Sequence, residues 1–251
     1  MVMIQADWTD LDRALDAYAA AGKTAELWWR DDDATLPVPA FARLTALARA
    51  TGVRPLIAVI PARAVAELAA EPGLAICQHG WNHDNHAPLG APKAELGAHR
   101  PPAMVLGELA RGWLRLRALY AAALPVLVPP HNRIAPEIAV ELPRAGYRGL
   151  STFGARKAVP AGLVQINAHC DIMDWNTRAF AGEGPALGAL VGHLRAKLDG
   201  AADPAEPTGL LTHHLAHDEA AWTFTQAALR RIAAHRAARW RAPEDVFASR
   251  P

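Results

Sequence analysis

The chain has 251 residues, half of them hydrophobic and a fifth charged, with a formal net charge of +1. That length supports one substantial core, and the near-neutral balance gives no electrostatic reason to expect nucleic acid or an anionic membrane as partner. Two cysteines, Cys77 and Cys170, are too few for a disulfide framework and point to a reducing compartment.

Met1 to Asp10 has no basic patch leading into an apolar run, and no stretch reaches the roughly 18 consecutive apolar residues of a spanning helix. The expectation is a soluble cytoplasmic protein of open oligomeric state. Leu11, Leu15 and Tyr18 predict a first helix, with Thr9 or Asp10 as cap and Gly22 as stop. Leu27-Trp28-Trp29 reads as a buried strand ending in charge, and Phe41, Leu44 and Leu47 as a helix stopping at Gly52. Pro55 to Ile60 is a strand, Arg63 to Ala70 a short helix and Leu74 to Gln78 another strand. His79 to Arg100 lacks periodicity and carries several prolines, so it reads as a long loop, a kind usually tied to function.

Met104 to Ala123 is a long helix, Pro125 to Val128 a strand, and Pro136 to Arg144 a helix running up to Gly146. Arg148 to Thr152 and Leu163 to Ile166 look like strands. Leu187 to Leu198 is a helix, Gly209 to Thr212 a strand and Glu219 to Arg239 a closing helix. Strand then helix, repeated about seven times, predicts α/β architecture with a parallel sheet wrapped by helices. Gly200 to Pro207 is linker-like but short, so one domain over 1–251 is expected, its core at 24–239.

The polar, metal-capable residues follow the strands, where α/β barrels carry their active sites. Arg30-Asp31-Asp32-Asp33 follows the first strand, and three adjacent carboxylates need a cation or a proton to offset their repulsion. They suit one metal ligand and one general base, or else a solvated acidic turn. His79 and His83 can meet one divalent ion if their segment makes a helical turn, with His86 a third candidate. Gly80 after the first His excludes the zincin pattern.

Pro129-Pro130-His131-Asn132 stiffens the chain after a strand, either aiming an amide at an oxyanion or serving as a plain connector. Asp171 and Asp174 could orient a catalytic histidine, and Trp175 could stack on a sugar-like ring, although such a Trp is more often core. His213, at a strand end, suits a general acid. His214 and His217 beside it could equally cap the following helix.

In this order the clusters resemble the polysaccharide deacetylase (NodB-homology) family over Leu27 to Asp218. The resemblance implies a single-domain distorted (β/α) barrel with about seven parallel strands. Matching Ala34 to the glycine of the family's Thr-Phe-Asp-Asp-Gly motif makes Asp32 the counterpart of the base and Asp33 that of a metal ligand. Sliding by one gives Asp31 and Asp32 instead. His79 and His83 match the family's His-Ser/Thr-x-x-His ligand pair. Pro130 keeps the proline of its Arg-x-Pro motif, although Val128 stands where the Arg would be. Asp171, Asp174 and Trp175 match Asp-x-x-Asp-Trp, and Leu211-Thr212-His213 matches Leu-x-His.

The resemblance therefore implies a metal-dependent hydrolase that removes an acyl group, acetyl, from an amide nitrogen of a sugar-like or small-molecule substrate. One divalent metal, zinc, is expected on Asp33, His79 and His83, with Asp32 and His213 catalytic. Arg30, Asp31, Pro130, His131, Asn132, Asp171, Asp174, Trp175 and His214 are expected around them, Arg30 standing in for the missing motif Arg. A non-catalytic carbohydrate- or metabolite-binding barrel, or a metal hydrolase acting on another bond, are the alternatives.

Overall fold

The computed structural model describes residues 5–70, 74–156 and 160–248. Helix α1 (Trp8–Ala20) is capped by Asp7, which accepts from the Asp10 N–H while Asp10 accepts from the Asp7 N–H, so the cap lies ahead of the expected Thr9 or Asp10. Strand β1 (Ala25–Ala34) runs on through all three aspartates rather than ending at Trp29. Helix α2 (Pro39–Thr51) stops at Gly52, whose left-handed φ of 69° glycine adopts without steric cost. Strand β2 (Pro55–Val59) leads into two 3-10 turns, Pro61–Arg63 and Ala66–Ala70, in place of the expected short helix.

Strand β3 (Ala75–His79) opens the long loop, and α3 (Pro102–Leu119) follows it. Next come β4 (Val126–Val128) and α4 (Pro136–Ala139), a single helical turn where a helix to Arg144 was expected. Strands β5 (Gly149–Leu150), β6 (Val164–Gln165) and β7 (Cys170–Asp171) are two residues each. A hairpin of β8 (Met173–Asp174) and β9 (Ala179–Phe180) then precedes α5 (Glu183–Leu198), β10 (Thr208–Thr212) and α6 (Glu219–Ala234). Helix α6 ends short of Arg239, which instead lies in β11 (Ala238–Trp240), parallel to β1; α7 (Pro243–Val246) follows.

The parallel sheet has the order β6-β5-β4-β3-β2-β1-β10-β7 and curls on itself, consistent with the expected distorted barrel. One continuous stretch closes it. The Ile166 and Ala168 N–H groups donate to Leu150 O and Thr152 O on the β5 side, and the His169 N–H donates to Gly209 O on the β10 side. Counting β6 and β7 as parts of this one stretch leaves seven strands around the ring.

Trp28, Leu56, Ala58, Cys77, Val126 and Val128 fill the barrel interior, while their strand neighbours Leu27, Trp29, Ile57 and Val59 pack outward against α1, α2, α5 and α6. This alternation carries Arg30 and Asp32 inward and Asp31 outward. No helix among the described residues is long and apolar enough to cross a membrane.

Candidate active site

A regular strand would turn Asp33 outward with Asp31. The β1–β2 register instead slips between Asp31 and Ala34, and Asp33 takes a left-handed φ of 72°. The bulge brings Asp33 to the barrel mouth beside Asp32. There Asp33 Oδ1 lies 3.1 Å from His79 Nε2 and 3.2 Å from His83 Nε2. Burial opposes the Asp33 charge, but the hydrogen bonds from His79 and His83 prevail and hold its carboxyl far below the usual range. For His79, burial is likewise overcome by Asp33, so its pKa is raised.

The histidines do not reach Asp33 through a helical turn. Strand β3 delivers His79, and a loop with left-handed residues at Gly80 (φ 56°) and His83 (φ 65°) returns His83 to it. Glu95 braces that loop from within the 80–100 segment, accepting from the Trp81 and Asn82 N–H groups at 3.0 and 2.8 Å. A side chain at position 80 would strike Glu95 and Pro130, so glycine is required twice over. Gln78 adds a bond to Gly80 O at 2.9 Å.

Asp33, His79 and His83 are the sole group among the described residues able to hold a metal through three side chains, and His86 is not in it. The donor set fits. An ion bound at ~2.1 Å by tetrahedral ligands sets them ~3.4 Å apart, and the Asp33–His separations are already near that. His79 Nδ1 lies 2.9 Å from Val128 O, an arrangement that fixes the ring and aims Nε2 at the site.

Asp32 is buried against Arg30, with Arg30 Nε 3.0 Å from Oδ1 and Nη2 3.1 Å from Oδ2. Asp32 Oδ2 stands 3.9 Å from His213 Nε2. On the far side of the imidazole, His213 Nδ1 is 3.8 Å from Asp171 Oδ1, and the Trp175 ring crosses it edge-on with centroids 4.5 Å apart. Trp175 is half-exposed rather than core and donates to Asp171 Oδ2 at 2.8 Å. Burial raises the Asp171 pKa, against the opposing pull of His213 and the Trp175 bond.

After β4, Pro130–Asn132 forms a 3-10 turn in which His131 and Asn132 both adopt a φ of 57°. The His131 ring meets His83 at 4.6 Å, and burial together with His83 pushes its pKa down to about 4.

Other candidates stand apart from this group. Asp31 and His214 pair inside the barrel wall, and Asp174 accepts from the Asn176 N–H within the β8–β9 hairpin. Of the two aspartates matched to the fourth motif, Asp171 is therefore the one facing His213. Sequence reasoning missed Glu95, Gln78 and Ser151; the last bonds Arg30 at 2.7 Å. The position of Glu95 in the unpatterned loop after His79 was the sole signal it offered.

The fold is that of the polysaccharide deacetylases of carbohydrate esterase family 4. A polysaccharide deacetylase structure from Mycobacterium smegmatis matches with a TM-score of 0.61 at 19% identity, over 90% of each chain. A family 4 carbohydrate esterase from Streptomyces lividans, in complex with acetate, matches at 0.53 and 16% identity, over 83% of this chain and 86% of that one. A family 4 acetyl xylan esterase from Clostridium thermocellum, with a cobalt ion, matches at 0.55 and 14% identity, over 88% and 90%. No protein-family model matches the sequence, and no curated protein matches it.

Proposed function

We propose that the protein is a metal-dependent deacylase that hydrolyses an N-acetyl group on a sugar-like or small-molecule substrate. The observation that carries this reading is the placement of Asp32 between two functional groups. It lies next in sequence to the Asp33–His79–His83 cradle, and its Oδ2 is 3.9 Å from His213. A base carboxylate, a histidine acid and a cation site thus share one mouth.

Asp33, His79 and His83 would hold one divalent ion. Zinc and cobalt both suit one carboxylate and two imidazoles, and one neighbour of the same fold carries cobalt. Such an ion supplies polarisation of the acyl carbonyl and acidification of water. Asp32 takes the proton of the attacking water as its oxygen bonds to the acyl carbon. The Asn132 N–H already donates to Pro129 O at 2.9 Å, so the His131 N–H is assigned to the developing oxyanion. His213 gives its proton to the departing nitrogen as the carbon–nitrogen bond breaks, with Asp171 facing its other ring nitrogen at 3.8 Å. Trp175 covers the imidazole and borders the acyl group. The products are a free amine and acetate.

Because the neighbours include an acetyl xylan esterase, the same side chains also suit an O-acetyl ester. The two bonds differ in leaving group. An amine must be protonated to depart, whereas a sugar alkoxide depends less on the acid. The test is acetate release from matched N-acetyl and O-acetyl sugars by protein of measured metal content. Asp33→Ala should lose metal and activity, and Asp32→Asn should keep metal and lose about 10²–10⁴ in turnover. His213→Asn should depress N-deacetylation far more than O-deacetylation. A wild type that binds no divalent metal, or releases acetate from neither substrate, would end this proposal.

A further inference from the structure

The His213 imidazole is not held by hydrogen bonds to the carboxylates on either side of it. Asp32 Oδ2 and Asp171 Oδ1 stand 3.9 and 3.8 Å from its two nitrogens, longer than a hydrogen bond, and Nδ1 is buried without a hydrogen-bond partner. Trp175 crosses the ring edge-on but is itself half-exposed. The direction of the ring therefore depends on the backbone that carries it. Asp31, which lies beside Thr212 in the β1–β10 register, holds that backbone. Its Oδ2 accepts from Thr212 Oγ1 at 2.6 Å and, at 3.1 Å, from the N–H of the peptide that joins His213 to His214. Its Oδ1 meets His214 Nδ1 at 2.5 Å. Thr212 is fixed in turn by the Trp29 indole N–H, which donates to its Oγ1 at 2.9 Å.

We infer that Asp31 is a positioning residue for His213, its carboxylate clamping the chain on both sides of that histidine and so setting the direction of the imidazole; this rests on the deacylase reading of the site. Strand alternation supplies the geometry. Thr212 points outward to Asp31, and His213, the next residue, points inward to Asp32. After His213 the chain leaves the sheet, with φ −140° and ψ 86° at that residue, and enters the 3-10 turn His214–Ala216. The ladder of β10 ends at Thr212, so His213 and its following peptide need another restraint, and the Asp31 bonds fall there. A buried carboxylate is costly unless donors surround it. All three donors come from residues 212 and 214, so Asp31 is satisfied only when the chain around His213 keeps this one conformation. Packing alone would be served by an apolar side chain, and the motif matched to this stretch has Phe at the position of Asp31. The three adjacent aspartates thus divide the work: Asp31 aims the acid, Asp32 faces the attacking water, and Asp33 belongs to the metal cradle.

The experiment is a double-mutant cycle on whichever acetylated sugar the wild type turns over, with folded, metal-loaded protein. Asp31→Asn and His214→Leu are each made alone and combined with His213→Asn, and His214→Asn keeps an N–H at the position of Nδ1. If Asp31 acts through His213, Asp31→Asn and His214→Leu should each lose at least about tenfold in kcat, with KM within about threefold and metal content as in wild type. His214→Asn should stay within about threefold of wild type, and in the His213→Asn background both losses should shrink below about threefold, because no acid is left to aim. Losses of undiminished size in that background, or a kcat within about threefold of wild type in both Asp31→Asn and His214→Leu, would overturn the inference. Should Asp31→Asn not fold, the His214→Leu and His214→Asn pair decides by the same criteria. Should wild type release no acetate, the deacylase reading fails, and the crystal structure of His214→Leu decides the role of the clamp. A His213 ring turned away from Asp32 supports it, and a ring unmoved from its wild-type position refutes it.

Discussion

The Asp31 carboxylate and the His214 imidazole meet at 2.5 Å inside the barrel wall, with both side chains fully buried. Asp31 also accepts from Thr212 Oγ1 at 2.6 Å and from the His214 N–H at 3.1 Å. Burial opposes its charge, yet His214 holds its pKa below the ordinary carboxylate value. Of three consecutive aspartates, this one belongs to the wall. Asp31→Ala should therefore destabilise the fold by about 3–5 kcal/mol, because it strands a buried imidazole and two further donors. Urea unfolding checks the size, and metal analysis of the folded fraction should show an undiminished metal content.

Glu95 touches no proposed ligand, yet it fixes the loop between two of them. Glu95→Ala should weaken metal affinity about tenfold, the effect expected when the support of a ligand is removed. Competition against a chromophoric chelator measures this. Affinity equal to wild type would show that the loop holds its shape without the carboxylate.

Gly209 lies where the closing stretch crosses β10, and a Cβ there would fall 2.7 Å from Ala168 Cα, 2.7 Å from Asn167 O and 2.6 Å from Trp28 Nε1. Two of these are backbone atoms that cannot step aside. Gly209→Ala should cost about 1–3 kcal/mol through overpacking. The control is Gly107, exposed on α3, where an added Cβ would meet nothing within 4 Å and alanine should stabilise by up to about 1 kcal/mol. Thermal melts of the two variants should move in opposite directions.

Away from the mouth, His193 stacks on His169 with centroids 3.5 Å apart and lies 2.9 Å from Thr208 Oγ1. Burial pushes its pKa down to about 3, aided by His169 and Lys197. Above about pH 6.5 the imidazole is neutral in both folded and unfolded chains. Below that, the unfolded chain takes up a proton that the folded one refuses, so stability falls as pH drops from about 6.5 towards 3. His193→Gln should lose less stability than wild type between pH 7 and pH 5, as read from urea midpoints.

Much of the fold was legible because its strands are apolar runs that end in chemistry. Leu27-Trp28-Trp29 and Leu74 to Gln78 announce β1 and β3, and the residues after them form the cradle. What stayed hidden depends on backbone conformation or on distant partners. Three adjacent aspartates carry no mark of a bulge at Asp33, so which faced outward could not be read from their order. The two-residue strand β7 is too short for periodicity, and β11 follows a helix whose apolar pattern carries past its end. Glu95 acts on backbone N–H groups more than ten residues away, a contact with no sequence signature.

The stretch that closes the barrel also bears on how this chain avoids other copies of itself. A sheet of this order, left open, would present bare strand edges at both ends, each a template for pairing with another chain. Here both ends of the sheet belong to one passing stretch, whose two-residue strands β6 and β7 pair with β5 and β10 respectively. Closure at Gly209 is thus a guard against aggregation as well as a packing contact. A variant that docks this stretch poorly should precipitate on refolding before any loss of chemistry at the mouth is seen.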